Sequence, residues 1–172
     1  MNLKRLFLLL FVTALLAAPA LAADQPQTFR LTWLENGKKP LFTVDVTDSW
    51  GVSMRHNKIV GISRDGMVHF AAAALPGQKS FEGAAEVVEA KLAELLTDLT
   101  VTNVRKTRIN GMSSVVIEGT AQDEKRPVGF IAIIFKANKK TFATLTFVGD
   151  PAARTFYREP VTTMANSLRP AR

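Results

Sequence analysis

The chain contains no cysteine. Disulfides, thiolate metal sites, cysteine nucleophiles and a lipid-modified cysteine are therefore all excluded. Histidine is nearly absent: His56 and His69 are the two, 13 positions apart, with turn signals between them. A zinc centre needs three or four ligands in close spacing, such as a histidine pair four apart on a helix. His69 alternates with Val68 and Phe70, which sets it on the other strand face, alongside Met67 and Ala71. It is expected to be a hydrogen-bonded structural histidine, and no metal or cofactor site is predicted.

Catalytic signatures are missing as well. None of Ser53, Ser63, Ser113 and Ser114 sits in a Gly-x-Ser-x-Gly elbow, and no glycine-rich phosphate cradle is present. Glu118 reads as strand and Asp123 as loop, so the two do not make an acid–base pair. With no nucleophile–base pair to choose, no catalytic residue is assigned. The chain also lacks a zinc finger, a basic zipper or an RNP-type strand, so nucleic acid is not an expected partner.

Long apolar runs are confined to the start. Lys4 and Arg5 precede Leu6–Leu16, and Ala20-Leu21-Ala22 follows as a small-residue cleavage motif. This predicts a signal peptide over residues 1–22, cleaved near Ala22, and a periplasmic or secreted protein with no transmembrane span thereafter. A retained anchor is the competing reading, but the run is too short to cross a bilayer by itself. Pro19 and its small neighbours also favour cleavage. Residues 23–40 then form a lead and first strand, and residues 41–170 one α+β domain. Loss of Lys4 and Arg5 lowers the formal charge from +7 to +5. A basic excess of this size suits an anionic surface or an acidic partner.

The rest of the chain is organised around Ser80 to Gly119. Ser80 is a suitable N-cap, and Glu82 complements the positive end of the helix dipole. Phe81, Ala84, Ala85, Val88, Leu92, Leu95, Leu96 and Leu99 recur at helical spacing and are expected to form one buried stripe. Val101 to Thr107 and Ser113 to Gly119 then read as strands around Asn110-Gly111, a strong hairpin signal. At this level the Asn-Gly pair is a turn and nothing more.

Upstream, alternation predicts strands at Phe29–Trp33 and Phe42–Val46, with a turn at Asn36-Gly37. Asp48-Ser49-Trp50-Gly51 breaks the pattern. Lys58 to Ser63 and Met67 to Ala74 follow, joined at Asp65-Gly66. Downstream, Gln122 to Arg126 reads as a polar loop. Val128 to Phe135 is largely apolar at successive positions, which marks a strand covered on both faces. Asn138-Lys139-Lys140 turns the chain into Thr141 to Val148. Asp150-Pro151 starts a terminal helix, with Phe156, Val161, Met164 and Leu168 expected inward and Pro160 expected to kink or split it. Short turns imply antiparallel pairing. The fold class is therefore α+β, an antiparallel sheet sandwiched between helices on opposite faces.

Two groups of side chains stand out as candidate sites. Arg105, Lys106 and Arg108 crowd one hairpin end, and Lys136, Lys139 and Lys140 another. If the ends adjoin, they form a patch for an anionic partner. Trp50, beside Gly51, is a candidate pocket residue or a cap on the core.

Phe42 to Trp50, Asp65-Gly66, the helix from Phe81, Ile109-Asn110-Gly111, Glu118-Gly119 and Ser167-Leu168-Arg169 occur in an order that resembles the PsbP-like family. That family includes PsbP, DcrB and a Ran-binding import factor. The resemblance covers about Phe42 to Pro170. It implies an antiparallel sheet between helices and a non-enzymatic, partner-binding role. Thr47 stands where the family often has proline, and the lipobox cysteine common in DcrB-like members is absent. The functional expectation is an accessory or binding module of the bacterial cell envelope, with an envelope protein or anionic surface as partner. A small-molecule or lipid carrier is the alternative, and a hydrolase the third reading.

Overall fold

A computed structural model describes residues 26–32, 40–55 and 58–171. The signal segment, Trp33, the Asn36-Gly37 turn and His56 lie outside the described residues. The elements are β1 (Gln27–Thr32), β2 (Pro40–Val46), β3 (Trp50–Arg55), β4 (Lys58–Ser63), β5 (Val68–Leu75), α1 (Phe81–Ala93), β6 (Thr97–Ile109), β7 (Met112–Asp123), β8 (Arg126–Lys136) and β9 (Phe142–Gly149). A 3-10 turn, Pro151–Ala153, leads into α2 (Arg154–Ser167), and the short β10 (Arg169–Pro170) follows.

A seven-stranded antiparallel sheet has the order β3-β4-β5-β9-β8-β7-β6. A second sheet of three strands, β1-β2-β10, is separate from it. The large sheet is buried on both faces around β8. Ile133 and Phe135 point to one face, with Val116, Leu145 and Phe147, and meet Phe42, Val44 and Val46 of β2 and Met164 and Leu168 at the α2 end. Phe42 packs edge-on against Phe135, with centroids 5.1 Å apart. Val128, Phe130, Ala132 and Ile134 point the other way and meet Ala84, Val88, Leu92 and Leu96. The two helices therefore cover opposite faces, as the doubly apolar strand requires, and the small sheet shares one face with α2.

Local chemistry explains the boundaries. The Ser80 hydroxyl accepts from the Gly83 amide and caps α1. Asp150 accepts from the Ala152 amide, and Pro151 opens the terminal helical segment. Asn110 and Gly111 both have positive φ, 46° and 81°, as a two-residue hairpin turn demands. The β7–β8 turn is built the same way from Glu124 and Lys125, at φ 47° and 70°.

Several expectations are corrected. Leu95 is 77 % exposed, not buried. The helix ends at Ala93, so Leu95 lies past its last turn, whereas Leu96 swings back under the helix and is buried. Leu99, on β6, is only half-buried. Trp50 and Gly51 do not break the strand pattern but begin β3, because Trp50 and Val52 face the core around Gly51. Gln27, ahead of the strand expected from Phe29, is the first residue of β1. The polar loop after β7 shrinks to two turn residues. Phe156 is 81 % exposed, and Tyr157 takes its expected place facing the core. Pro160 does not split α2, which runs unbroken from Arg154 to Ser167.

Gly119 sits where β6 bulges and crosses β7 closely. A Cβ there would strike the Thr100 carbonyl and the Phe130 ring. Gly119→Ala is expected to cost about 1–3 kcal/mol through overpacking. In urea denaturation, Leu92→Ala is expected to lose about 2–5 kcal/mol, the range for a buried leucine. Leu95→Ala should stay within about 0.5 kcal/mol, as an exposed site does. Equal losses for the two leucines would contradict this end of α1.

Candidate functional site

The hairpin β6–β7, the hairpin β8–β9 and the start of α1 all meet at one end of the large sheet. Ile109 pairs with Met112 at the first turn, and Lys136 with Phe142 at the second. Leu75, just before the connection to α1, also pairs with Phe142. The two basic clusters therefore share one sheet end.

Register decides which face each cation takes. Lys106 lies opposite Val115, whose side chain packs on the α1 face, and Arg108 follows two residues later on that face. Lys136 lies on the α1 face too: its ammonium sits 5.7 Å from the centre of the Phe142 ring. Phe142 packs edge-on against Phe81 in the first turn of α1, at 5.0 Å. Lys139 and Lys140 are exposed in the turn between β8 and β9. Asn138 shapes that turn, its side-chain oxygen accepting from the Lys140 and Thr141 amides at 2.8 and 2.9 Å. Glu82 stands in the same region. Its carboxyl is held below the ordinary value by its own amide, then the Ser80 hydroxyl, with a contribution from the Lys106 charge.

Arg105 is not part of this group. It lies opposite Val116, on the α2 face, and its Nε is 3.7 Å from Glu118 Oε1. Arg154 reaches the other Glu118 oxygen at 3.5 Å. Glu118 thus bridges two arginines. Asp123, five residues on along β7, falls on the opposite face and lies 3.9 Å from Arg126. The two carboxylates do not converge. Ser114 is buried and donates to the Met112 carbonyl, and Ser63 is buried beside Asp65. His69 is exposed on β5. Among the described residues, no three His, Asp or Glu side chains gather as metal ligands would.

Trp50 is buried in the core, edge-on to Phe70 at 5.3 Å and to Tyr157 at 5.9 Å. The Tyr157 hydroxyl in turn favours the charged form of Asp65 in the β4–β5 turn. Sequence reasoning missed this link because Tyr157 and Asp65 are far apart in the chain. Asp65 also accepts from the Met67 amide at 3.0 Å and the Ser63 hydroxyl at 2.7 Å. These groups, the Tyr157 hydroxyl first, hold its carboxyl below the ordinary value of 3.8. Asp65 in turn raises the Tyr157 pKa above its ordinary value.

A depressed carboxylate contributes stability that is complete above its unfolded pKa and lost as pH falls through the folded one. Tyr157→Phe removes the first of these groups. The stability gap between wild type and variant is therefore expected to be widest above about pH 4 and to narrow in more acid solution. Melting temperatures from about pH 2 to about pH 8, a span that brackets carboxylate titration, would show it. A gap that does not change with pH would contradict the link.

Among the described residues, no helix is long and apolar enough to cross a membrane. No protein-family model matches the chain, and no curated protein matches it in sequence. Solved structures do match in shape. Cyanobacterial PsbP from Synechocystis aligns with a TM-score of 0.58 at 11 % identity, covering 91 % of this chain and 98 % of that one. A protein of unknown function from Pseudomonas aeruginosa, PA94, aligns at 0.54 with 12 % identity, covering 85 % and 97 %. LpqN of Mycobacterium tuberculosis, described as involved in cell envelope biogenesis, aligns at 0.51 with 11 % identity, covering 84 % and 91 %. The chain has a PsbP-like α+β fold.

Proposed function

We propose that this protein is a non-enzymatic binding module of the bacterial cell envelope, exported by residues 1–22. It meets an anionic surface or an acidic partner through the basic end of its large sheet. One observation carries the reading. Register sets Lys106, Arg108 and Lys136 on one face of the sheet, at the end where Lys139 and Lys140 turn the chain. Cations clustered beside one another raise the local potential and attract phosphate or carboxylate groups. The envelope role described for LpqN, which shares the fold, supports the compartment.

The carrier reading has less support. The α1–sheet interface, where a ligand would lodge, is filled by Val88, Leu92, Phe130 and Ile134. Among the described residues, nothing in the geometry favours a hydrolase.

Vesicles of phosphatidylglycerol and phosphatidylcholine test the proposal. Each juxtamembrane cation contributes about 1 kcal/mol of attraction. Reversing Lys136, Lys139 and Lys140 to Glu together should weaken binding by on the order of 100-fold or more at low salt. Wild-type binding should fall steeply as salt rises. Arg105→Glu, on the other face, should leave binding nearly unchanged. Vesicle binding that survives the triple reversal, with no acidic protein captured in a salt-sensitive way, would overturn the proposal.

A further inference from the structure

The outer face of the small sheet carries a cleft of about 550 Å³ away from the α1 face. Its floor is one register row. Arg30 of β1 and Arg169 of β10 both pair with Thr43 of β2, so an arginine stands on each side of Thr43 and all three residues line the cleft. Pro40 and Pro170 form walls, and Asn110 at the β6–β7 turn closes one side. Asn110 is fixed there, because its amide nitrogen donates to the Asn166 and Leu168 carbonyls at 2.6 and 2.8 Å.

Among the described residues, the charges that line this cleft are unbalanced. Arg169 Nη1 lies 3.2 Å from Asp45 Oδ2 and donates to the Ser167 carbonyl at 3.0 Å, which leaves its Nε and Nη2. Asp45 stands one row away, opposite Thr28, which donates to it at 2.8 Å. Among the described residues no carboxylate lies within ion-pairing distance of Arg30, and none lines the cleft. Guanidinium forks match planar carboxylates, and proline walls hold the shape of a site without losing side-chain freedom on binding.

We propose that this cleft binds a carboxylate, held between Arg30 and Arg169 with the Thr43 hydroxyl as a further donor. A small organic acid and the side chain of an acidic peptide present the same group. The Arg169–Asp45 pair pre-sets one fork, so binding orders chiefly Arg30. The inference is independent of the basic sheet end and does not need it.

The test uses 15N-labelled protein titrated with citrate and, separately, with an acetylated Asp/Glu tetrapeptide amide at constant ionic strength. Saturable shifts are expected at the amides of Arg30, Thr43 and Arg169 with at least one probe. Citrate alone would identify a small acid as the ligand class, and the peptide alone an acidic segment. Arg30→Gln should weaken binding roughly five-fold, the scale of one exposed ion pair, with an unchanged thermal melt. Arg30→Lys should restore only part of it, because the charge returns without the fork. Linear shifts that do not saturate, shifts confined to residues 136–140, or an Arg30→Gln variant that binds as well as wild type would each overturn the inference. The vesicle result bears on none of these outcomes.

Discussion

A strand that is apolar on both sides has no tolerable place except between two covers. β8 is such a strand: Ile133 and Phe135 face one way, and Phe130, Ala132 and Ile134 the other. Each buried aliphatic or aromatic side chain of this kind is worth about 1.5–3 kcal/mol relative to exposure. Leaving either face wet would therefore forfeit several kcal/mol, which is comparable to the whole stability of a small domain. The large sheet, the placing of α1 on one side and the presence of a second layer on the other all follow from that demand.

The second cover is assembled from both ends of the chain. β1 and β2 precede the large sheet, and α2 and β10 follow it. They are tied by short polar links at the point where they meet. The Asp45 amide donates to Ser167 Oγ at 2.8 Å, and Ser167 Oγ donates to the Met164 carbonyl at 2.7 Å. Arg169 pairs with Asp45, and the Ala171 amide donates to the Leu41 carbonyl at 3.1 Å. Asn110 adds a third segment by capping the carbonyls at the end of α2. Helix ends expose carbonyls that need partners. A hairpin tip that supplies them joins the turn of the large sheet to the layer that covers it. The Asn-Gly pair is thus more than a turn: its conformation comes from its own chemistry, and its side chain does the work of a cap.

Local chemistry was legible in the sequence, and long-range geometry was not. Ser80, Asp150-Pro151 and Asn110-Gly111 act on neighbouring backbone, so their roles follow from residue type and spacing. The doubly apolar run of β8 likewise states its own burial. The end of α1 was misplaced because no glycine follows it. The C-cap is Glu94 in helical conformation, and the apolar spacing continues through Leu95 as if the helix did. Phe156 and Tyr157 are adjacent aromatics, and the helix phase that chooses between them is set by Met164, Ala165 and Leu168 docking on the core. The separate small sheet rests on β2–β10 pairing across more than a hundred residues, which no local pattern announces. At the basic site, however, one fact was available from the start. Arg105 and Lys106 are consecutive in a strand, and consecutive strand residues point to opposite faces.

That alternation also divides the basic residues by physical cause. β6 is the outermost strand of the large sheet, 13 residues long and largely exposed. A free edge of that length is a template for pairing with another chain, and cations along it are a recognised safeguard. Antiparallel self-pairing through this segment would bring Arg105, Lys106 and Arg108 against like charges. These three therefore have a reason to be basic that involves no partner at all. The same reason does not reach Lys136, Lys139 and Lys140. β8 is flanked by β7 and β9, and the turn beyond it presents no edge. Lys136 lies over the Phe142 ring, where its stem covers apolar surface and its charge stays in water. Lys139 and Lys140 are exposed in a turn whose shape Asn138 already fixes, so the turn does not require them to be basic. The case for an anionic partner is consequently strongest at the β8–β9 end, and Lys106 and Arg108 of β6, on the same face, add to its field.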